Sequence, residues 1–188
     1  MSDKPLSKST LRAGKVDKAD YAALPRLPLV LILDNLKVAH NVGTILRVAE
    51  AVLVQKVYLC GSTIIPPNAK IKTASRGAER WITWEHIPTT LEAVQRVKNE
   101  GYQVISLEIS DASQLYIDFD YTQKPCAFVL GREYDGVSLD VLNASDAVVH
   151  LPMSGMANSI NVACSASVLI YHYLNEVAPQ RGATVGAR

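Results

Sequence analysis

Residues 29–33 read Leu-Val-Leu-Ile-Leu, an uninterrupted apolar run that ends at Asp34 and Asn35. Such a run is typical of a strand buried on both faces of a parallel sheet. Four more runs repeat it, at residues 56–60, 102–107, 126–130 and 147–151. Parallel strands need crossovers, and helical apolar spacing predicts them at 42–54, 90–99, 138–142 (a short turn) and 160–175. The alternation predicts an α/β domain with a mainly parallel sheet covered by helices on both faces.

The chain has 188 residues, of which 48% are apolar, so it can bury a core without disulfides or metal. Residues 28–176 are predicted to form this one domain. Residues 1–27 are polar, lack a useful period and are predicted to be a flexible basic leader, with Lys4, Lys8, Arg12, Lys15 and Lys18. Residues 177–188 have the Pro, Gly and small-residue content of a disordered tail.

Composition narrows the function classes. A formal net charge of +1 argues against binding nucleic acid by bulk charge, so any RNA contact must be local. The leader is one candidate patch, and the segment with Lys72, Arg76 and Arg80 is the other; a solvated charged surface is the alternative for both. No apolar stretch reaches the ~20 residues of a membrane span and no secretory segment opens the chain, so we expect a soluble cytoplasmic protein.

Cysteine and histidine spacing argues against a metal site. The three cysteines, Cys60, Cys126 and Cys164, are far apart in apolar surroundings, which predicts buried thiols in a reducing compartment. The four histidines show no mutual spacing suited to a metal ion. We therefore expect no metal.

Ligands of open α/β sheets bind beyond the carboxyl ends of the strands, and three such ends carry polar residues. Asn41, Gly43 and Arg47 follow the first apolar run; Asn41 could instead be a helix N-cap and Arg47 a surface charge. A loop bracketed by Gly131 and Gly136 follows the fourth run, with Glu133 inside it. Glu133 could be an ordinary turn residue.

The end of the fifth run is the third of these places. Residues 151–161 read Leu-Pro-Met-Ser-Gly-Met-Ala-Asn-Ser-Ile-Asn and open directly into the final helix. Ser159 and Asn161 could simply cap that helix, because short polar side chains prefer such positions.

Together, the three segments resemble the motifs of the SpoU (TrmH-like) branch of the SPOUT superfamily of RNA methyltransferases. Asn41, Gly43 and Arg47 match N-x-G-x-x-x-R, and Gly131, Glu133 and Gly136 match G-x-E-x-x-G. The third motif is matched by Leu151, Pro152, Met153, Ser159, Ile160, Asn161 and Val162. The resemblance covers about residues 29–175. It implies a SPOUT fold with a C-terminal trefoil knot, formed here by roughly residues 128–175.

The resemblance further implies transfer of a methyl group from S-adenosylmethionine to a ribose 2′-hydroxyl in RNA. The cofactor would be held in a bent shape, largely by main-chain contacts, near Leu107, Gly131, Leu151, Ser159 and Ile160. The absence of G-x-G-x-x-G after the first strand agrees with this. Arg47 would be an electrostatic clamp on the hydroxyl and its phosphate, with Asn41, Glu133, Ser159 and Asn161 holding Arg47 and the ribose.

The resemblance also implies a homodimer in which Arg47 reaches the partner's cofactor. The final helix is apolar on more than one stripe, which fits a dimer or a central core helix. A tRNA is favoured over rRNA because the chain has only a short basic leader outside the domain. The alternatives are a non-catalytic RNA-binding protein with the same fold, and a nucleotide-binding enzyme such as a dehydrogenase.

Overall fold

The computed structural model of the protein describes Ser7, Ser9 and residues 17–177. Its strands form one sheet in which every neighbouring pair is parallel. The strands are β1 (Leu27–Asp34), β2 (Val54–Cys60), β3 (Trp84–Ile87), β4 (Gln103–Leu107), β5 (Gln114–Leu115), β6 (Cys126–Leu130) and β7 (Ala147–His150). The helices are α1 (Lys18–Ala23), α2 (Ala39–Ala51), α3 (Ala69–Ser75), α4 (Thr90–Asn99), α5 (Leu139–Ala144) and α6 (Val162–Val177), with a 3-10 turn at Ala78–Arg80.

The strand order is β3-β2-β1-β6-β4-β7-β5. After β4 the chain forms β5 at the far edge of the sheet and then returns to the middle, where β6 lies between β1 and β4. The last strand, β7, lies on the other side of β4, between β4 and β5. The carboxyl ends of β1, β6, β4 and β7 are therefore neighbours, and the loops that follow them meet at one edge. The trefoil knot stays a prediction.

The core has two sides because side chains alternate along each strand. Leu29, Leu31 and Leu33 of β1 pack with buried residues of α2 and α6. Val30 and Ile32 face the other way and pack with buried residues of α4 and α5. The sheet thus lies between two helical layers, as its fully apolar strands predict.

All five predicted strands are present; besides the 3-10 turn, four further elements are not anticipated by the sequence. The strands β3 and β5 lie at the two edges of the sheet, and α3 is only two turns long. The fourth, α1, lies within the segment expected to be a flexible leader; the Asp17 side chain caps it by accepting from the Asp20 N–H at 2.9 Å. Its Tyr21 ring meets the ring of Trp81 edge to face, 5.4 Å between centroids. Residues 1–6, 8 and 10–16 of that leader, and 178–188 of the predicted tail, lie outside the described residues.

The cysteine prediction is partly wrong. Cys60 and Cys126 are buried, and burial raises the pKa of each thiol to about 12. Cys164, by contrast, is exposed on α6, since it lies on the opposite side of the helix from the core-facing residues. No helix among the described residues combines the length and the apolar character that crossing a membrane requires.

Candidate active site

A cleft of about 350 Å³ opens at the carboxyl ends of β4, β6 and β7. Its walls come from the loops after these strands and from the start of α6. All the residues predicted to bind the cofactor line it: Leu107, Gly131, Leu151, Ser159 and Ile160. The predicted contact points, which are far apart in sequence, are thus brought to one cavity.

The loop after β6 needs both of its glycines. Gly136 and Arg132 exchange two backbone hydrogen bonds, with N···O distances of 3.0 and 3.1 Å, which closes the loop into a tight turn. Gly136 has a φ of +68°, in the left-handed region that favours glycine. A Cβ on Gly131 would lie 2.3 Å from the Gly136 carbonyl carbon, so no side chain fits there. This turn places Glu133 near its tip.

Glu133 faces the start of α2 and is not merely a turn residue. Its Oε1 accepts from the Val38 N–H at 3.1 Å and from Asn41 Nδ2 at 2.9 Å, and its Oε2 accepts from the Lys37 N–H at 3.2 Å. Partial desolvation by itself would raise the pKa of this carboxyl. The hydrogen bonds from Asn41 and from the backbone outweigh that effect and lower the pKa.

Asn41 links the first motif to the third. It is buried, and its Oδ1 accepts from Asn161 Nδ2 at 3.1 Å. Asn161 in turn caps α6, since its Oδ1 accepts from the Ala163 N–H at 2.9 Å. The N-cap interpretation of Asn41 is wrong, because α2 begins earlier, with Val38 as its N-cap. Asn161, however, both caps a helix and joins the motifs.

Gly43 permits the close approach of a neighbouring helix. A Cβ there would lie 2.6 Å from the Ile71 carbonyl oxygen and 2.7 Å from Ala74 Cβ, both on α3. The glycine of the first motif therefore sets how closely α2 and α3 pack.

Arg47 is exposed and lies away from the cleft of its own chain. It makes no hydrogen bond or ion pair with any residue in the described part of the chain. Six residues from Asn41 on an α-helix correspond to about 120° of rotation and about 9 Å of rise, so the two side chains point in different directions. The structure brings Asn41, Glu133 and Asn161 together and leaves Arg47 apart from them.

Several lining residues were missed by the sequence analysis. Glu108 joins two loops, because its carboxylate accepts from the N–H groups of Ile109 and Val137, both at 2.9 Å. His150 also lines the cleft, and its Nδ1 is buried with no hydrogen-bond partner among the described residues. The sequence does contain a signal for Glu108 as a site residue, because it is a polar residue directly after an apolar strand.

The predicted RNA-binding cations lie outside this cleft. Lys72 is on α3, Arg76 ends that helix in the left-handed conformation (φ +56°), and Arg80 is in the 3-10 turn. All three are exposed, and none forms an ion pair within residues 17–177.

A parallel sheet with a cleft at its carboxyl edge, built by loops after β4, β6 and β7, defines an open α/β domain with a ligand site at that edge. The profile of the SpoU rRNA Methylase family matches residues 28–171. The chain belongs to this family.

Individual comparisons agree with the family assignment. The chain is 31% identical over 144 residues to a tRNA (guanosine(18)-2′-O)-methyltransferase of Aquifex aeolicus, covering 76% of this chain and 67% of the relative. A crystal structure of the A. aeolicus TrmH/SpoU tRNA modifying enzyme superposes with a TM-score of 0.74 and 29% identity, covering 83% of this chain and 78% of that one. An AdoMet-bound rRNA methyltransferase from Sinorhizobium meliloti shares the fold, with a TM-score of 0.75 and 23% identity, covering 81% and 61%. The matched region spans 61% to 72% of the related tRNA methyltransferases.

Proposed function

We propose that this protein transfers a methyl group from S-adenosylmethionine to a ribose 2′-hydroxyl in RNA, and that the RNA is a tRNA. The observation that carries the proposal is the chain of hydrogen bonds Glu133–Asn41–Asn161, which joins all three motifs and whose two ends, Glu133 and Asn161, line one cleft. The names of the relatives support tRNA, since they methylate a guanosine ribose in tRNA. A cytoplasmic location follows from such a substrate.

The cleft suits S-adenosylmethionine in size and in donor set. Its volume lies within the range of small-molecule sites, and its walls combine apolar side chains with backbone groups of the glycine turn. The cofactor supplies an electrophilic methyl carbon on a positively charged sulfur. The chain's own residues must orient the ribose and manage one proton.

Arg47 is assigned to the RNA side of the reaction. A guanidinium group stays protonated in proteins, so Arg47 acts as a clamp that orients the phosphate and stabilises charge on the 2′-oxygen, and not as the base. Asn41, Glu133, Ser159 and Asn161 hold the loops around the ribose. Lys72, Arg76 and Arg80 contact phosphates of the RNA.

The working unit is a homodimer in which Arg47 serves the partner's cleft. Two observations support this: Arg47 has no partner within the described residues, and α6 carries an exposed stripe. Cys164, Val168 and Tyr171 are spaced to lie on one face of α6, where Val168 is 42% and Tyr171 48% exposed. The opposite face of the helix packs in the core.

The first test is methyl transfer. The protein is incubated with labelled S-adenosylmethionine and total RNA from a strain that lacks it, and the modified ribose is mapped. Incorporation into tRNA at a 2′-oxygen is expected. RNA binding without incorporation would favour the non-catalytic alternative, and a thermal-shift response to NAD but not to S-adenosylmethionine would favour a dehydrogenase.

The dimer proposal is tested by mixing two inactive variants. Arg47→Ala lacks the clamp, and Met153→Trp fills the cleft, which calorimetry must verify as loss of cofactor binding. If Arg47 acts across the interface, mixed dimers contain one intact site, and an equal mixture recovers about a quarter of wild-type activity. No recovery in verified mixed dimers would place Arg47 and the cleft in one subunit.

A further inference from the structure

A second groove lies near the start of α3, away from the cofactor cleft. It encloses about 530 Å³, and it shares no lining residue with the cleft. The residues that matter for its chemistry are Pro66, Pro67, Asn68, Lys72, Arg80 and Trp84. It therefore needs an explanation of its own.

The groove's cations differ from those on the neighbouring elements β2 and α4. Lys56 is 2.6 Å from Glu85, and Arg96 pairs with both Glu85 and Glu92. Lys72 and Arg80, in contrast, form no ion pair with any residue that the structure describes.

A carboxylate does line the groove without neutralising its cations. Glu79 is beyond ion-pair distance of Lys72 and Arg80, and its Oε2 accepts from Ser75 Oγ. Two unpaired cations against one engaged carboxylate leave the groove suited to an anion.

The remaining walls suit a flat, partly apolar group. Trp84 is half-buried in the edge strand β3, and Pro66 and Pro67 add apolar surface. The Asn68 Oδ1 accepts from the N–H groups of Lys70 and Ile71, while its amide NH2 has no partner among the described residues. Unpaired cations, an aromatic surface and a free amide donor are what a nucleotide needs for its phosphate and its base.

We propose that this groove binds one nucleotide of the RNA substrate, other than the methylated one. Lys72 and Arg80 contact its phosphates, and its base lies against Trp84. The inference rests on the proposed function and adds a specific recognition site to it. RNA is favoured over an acidic peptide, because the groove has an indole ring beside its cations and only a nucleotide offers both a phosphate and a flat base.

The charge part of the proposal is tested with Lys72→Ala/Arg80→Ala. Its control is Lys98→Ala/Lys124→Ala, which removes the same charge elsewhere. Binding of unfractionated bacterial tRNA is measured against salt concentration. The groove variant should bind roughly tenfold or more weakly, with a salt slope lower by about 2, and the control should change little. Equal losses in both variants would show bulk charge only and would overturn the site.

The base contact is tested by fluorescence, since the chain has two tryptophans. In Trp81→Phe the only indole is Trp84, and a single-stranded oligoribonucleotide of about six residues should quench it. Trp84→Leu should weaken tRNA binding about fivefold or more, while Trp84→Phe keeps most of the affinity. Absence of quenching with unchanged affinity, or quenching by a poly-glutamate peptide instead, would overturn the proposal.

The experiments distinguish a failure of the proposed function from a failure of the groove assignment. If the wild-type protein methylates no RNA, the proposed function fails whatever the groove variants do. If it methylates tRNA while the groove variants and the control have equal affinities, only the groove assignment fails. Calorimetry with S-adenosylmethionine should give unchanged affinity in the groove variants, since no groove residue lines the cleft.

Discussion

Two polar residues of one motif, in the first and third turns of α2, have opposite surroundings. Asn41 is buried and hydrogen-bonded on both sides, to Glu133 and to Asn161. Arg47 is exposed and has no partner within the described residues. A buried amide with satisfied bonds maintains structure, whereas an unpaired arginine is available for a ligand. The motif therefore combines a scaffold residue with the residue that we propose acts on the RNA.

The sharpest test of this contrast is Arg47→Ala. We expect kcat for methyl transfer to fall roughly 100- to 1000-fold, because a clamp on developing charge is lost. The free energy of unfolding should stay within about 0.5 kcal/mol of wild type, since an exposed side chain without partners is removed. Single-turnover methyl transfer and chemical denaturation measure the two quantities.

Arg47→Lys is the matched variant for the clamp. It keeps the positive charge and loses the bidentate fork, so we expect activity between those of Arg47→Ala and wild type. Near wild-type turnover would contradict a bidentate role, and a large loss of stability in Arg47→Ala would contradict the contrast itself.

Glu133→Ala tests the structural role of the hydrogen bonds around Asn41. Three donors lose their acceptor: Asn41 Nδ2 and the N–H groups of Lys37 and Val38. We expect a loss of about 1–2 kcal/mol in the free energy of unfolding, because the Asn41 amide is buried, with activity reduced as well. Urea denaturation measures it, and Asp135→Ala in the same loop is the control. A stable Glu133→Ala with normal cofactor affinity would mean that the carboxylate holds nothing in place.

Asn161 allows capping and motif linkage to be separated. Asn161→Ala loses both and should cost about 1 kcal/mol of stability. Asn161→Asp keeps an oxygen for the Ala163 N–H but cannot donate to Asn41 Oδ1. If linkage matters for function, Asn161→Asp keeps the stability that the cap contributes, loses the part that comes from the bond to Asn41, and is impaired in methyl transfer. Full activity of Asn161→Asp would reduce the residue to a cap.

The sequence predicts the buried centre of this fold and misses its margins. The strands β1, β6 and β4 must be apolar on both faces, so their continuous runs identify them. The edge strand β3 reads Trp-Glu-His-Ile, with only Ile87 fully buried, and β5 has two residues. Short or half-exposed elements need little apolar sequence, which is why α3 and β3 could not be found by periodicity.

The same limit applies to the site. Spacing and strand ends locate Asn41, Glu133 and Asn161, but the mutual hydrogen bonds depend on β6 lying between β1 and β4. That strand order brings the loop after β6 to the start of α2, and no local pattern encodes it. Gly43 is a further example: its place in the motif does not tell what lies against it, and the neighbour that approaches is α3.

The smallest expected effect is a pH dependence of the scaffold. The pKa of Glu133 is lower in the folded protein than its ordinary value of 4.5, despite the opposing effect of desolvation. A carboxyl with a lowered folded pKa contributes stability above its unfolded pKa, and this contribution is lost as the pH falls through the folded value. Glu133→Gln lacks that titration, and its amide NH2 faces donors where a carboxylate oxygen accepted. Wild type should therefore exceed Glu133→Gln in stability near neutral pH, and the difference should shrink below about pH 4. A difference for Glu133→Gln that is constant from pH 3 to 7 would mean that the charge contributes nothing to holding α2 against the loop.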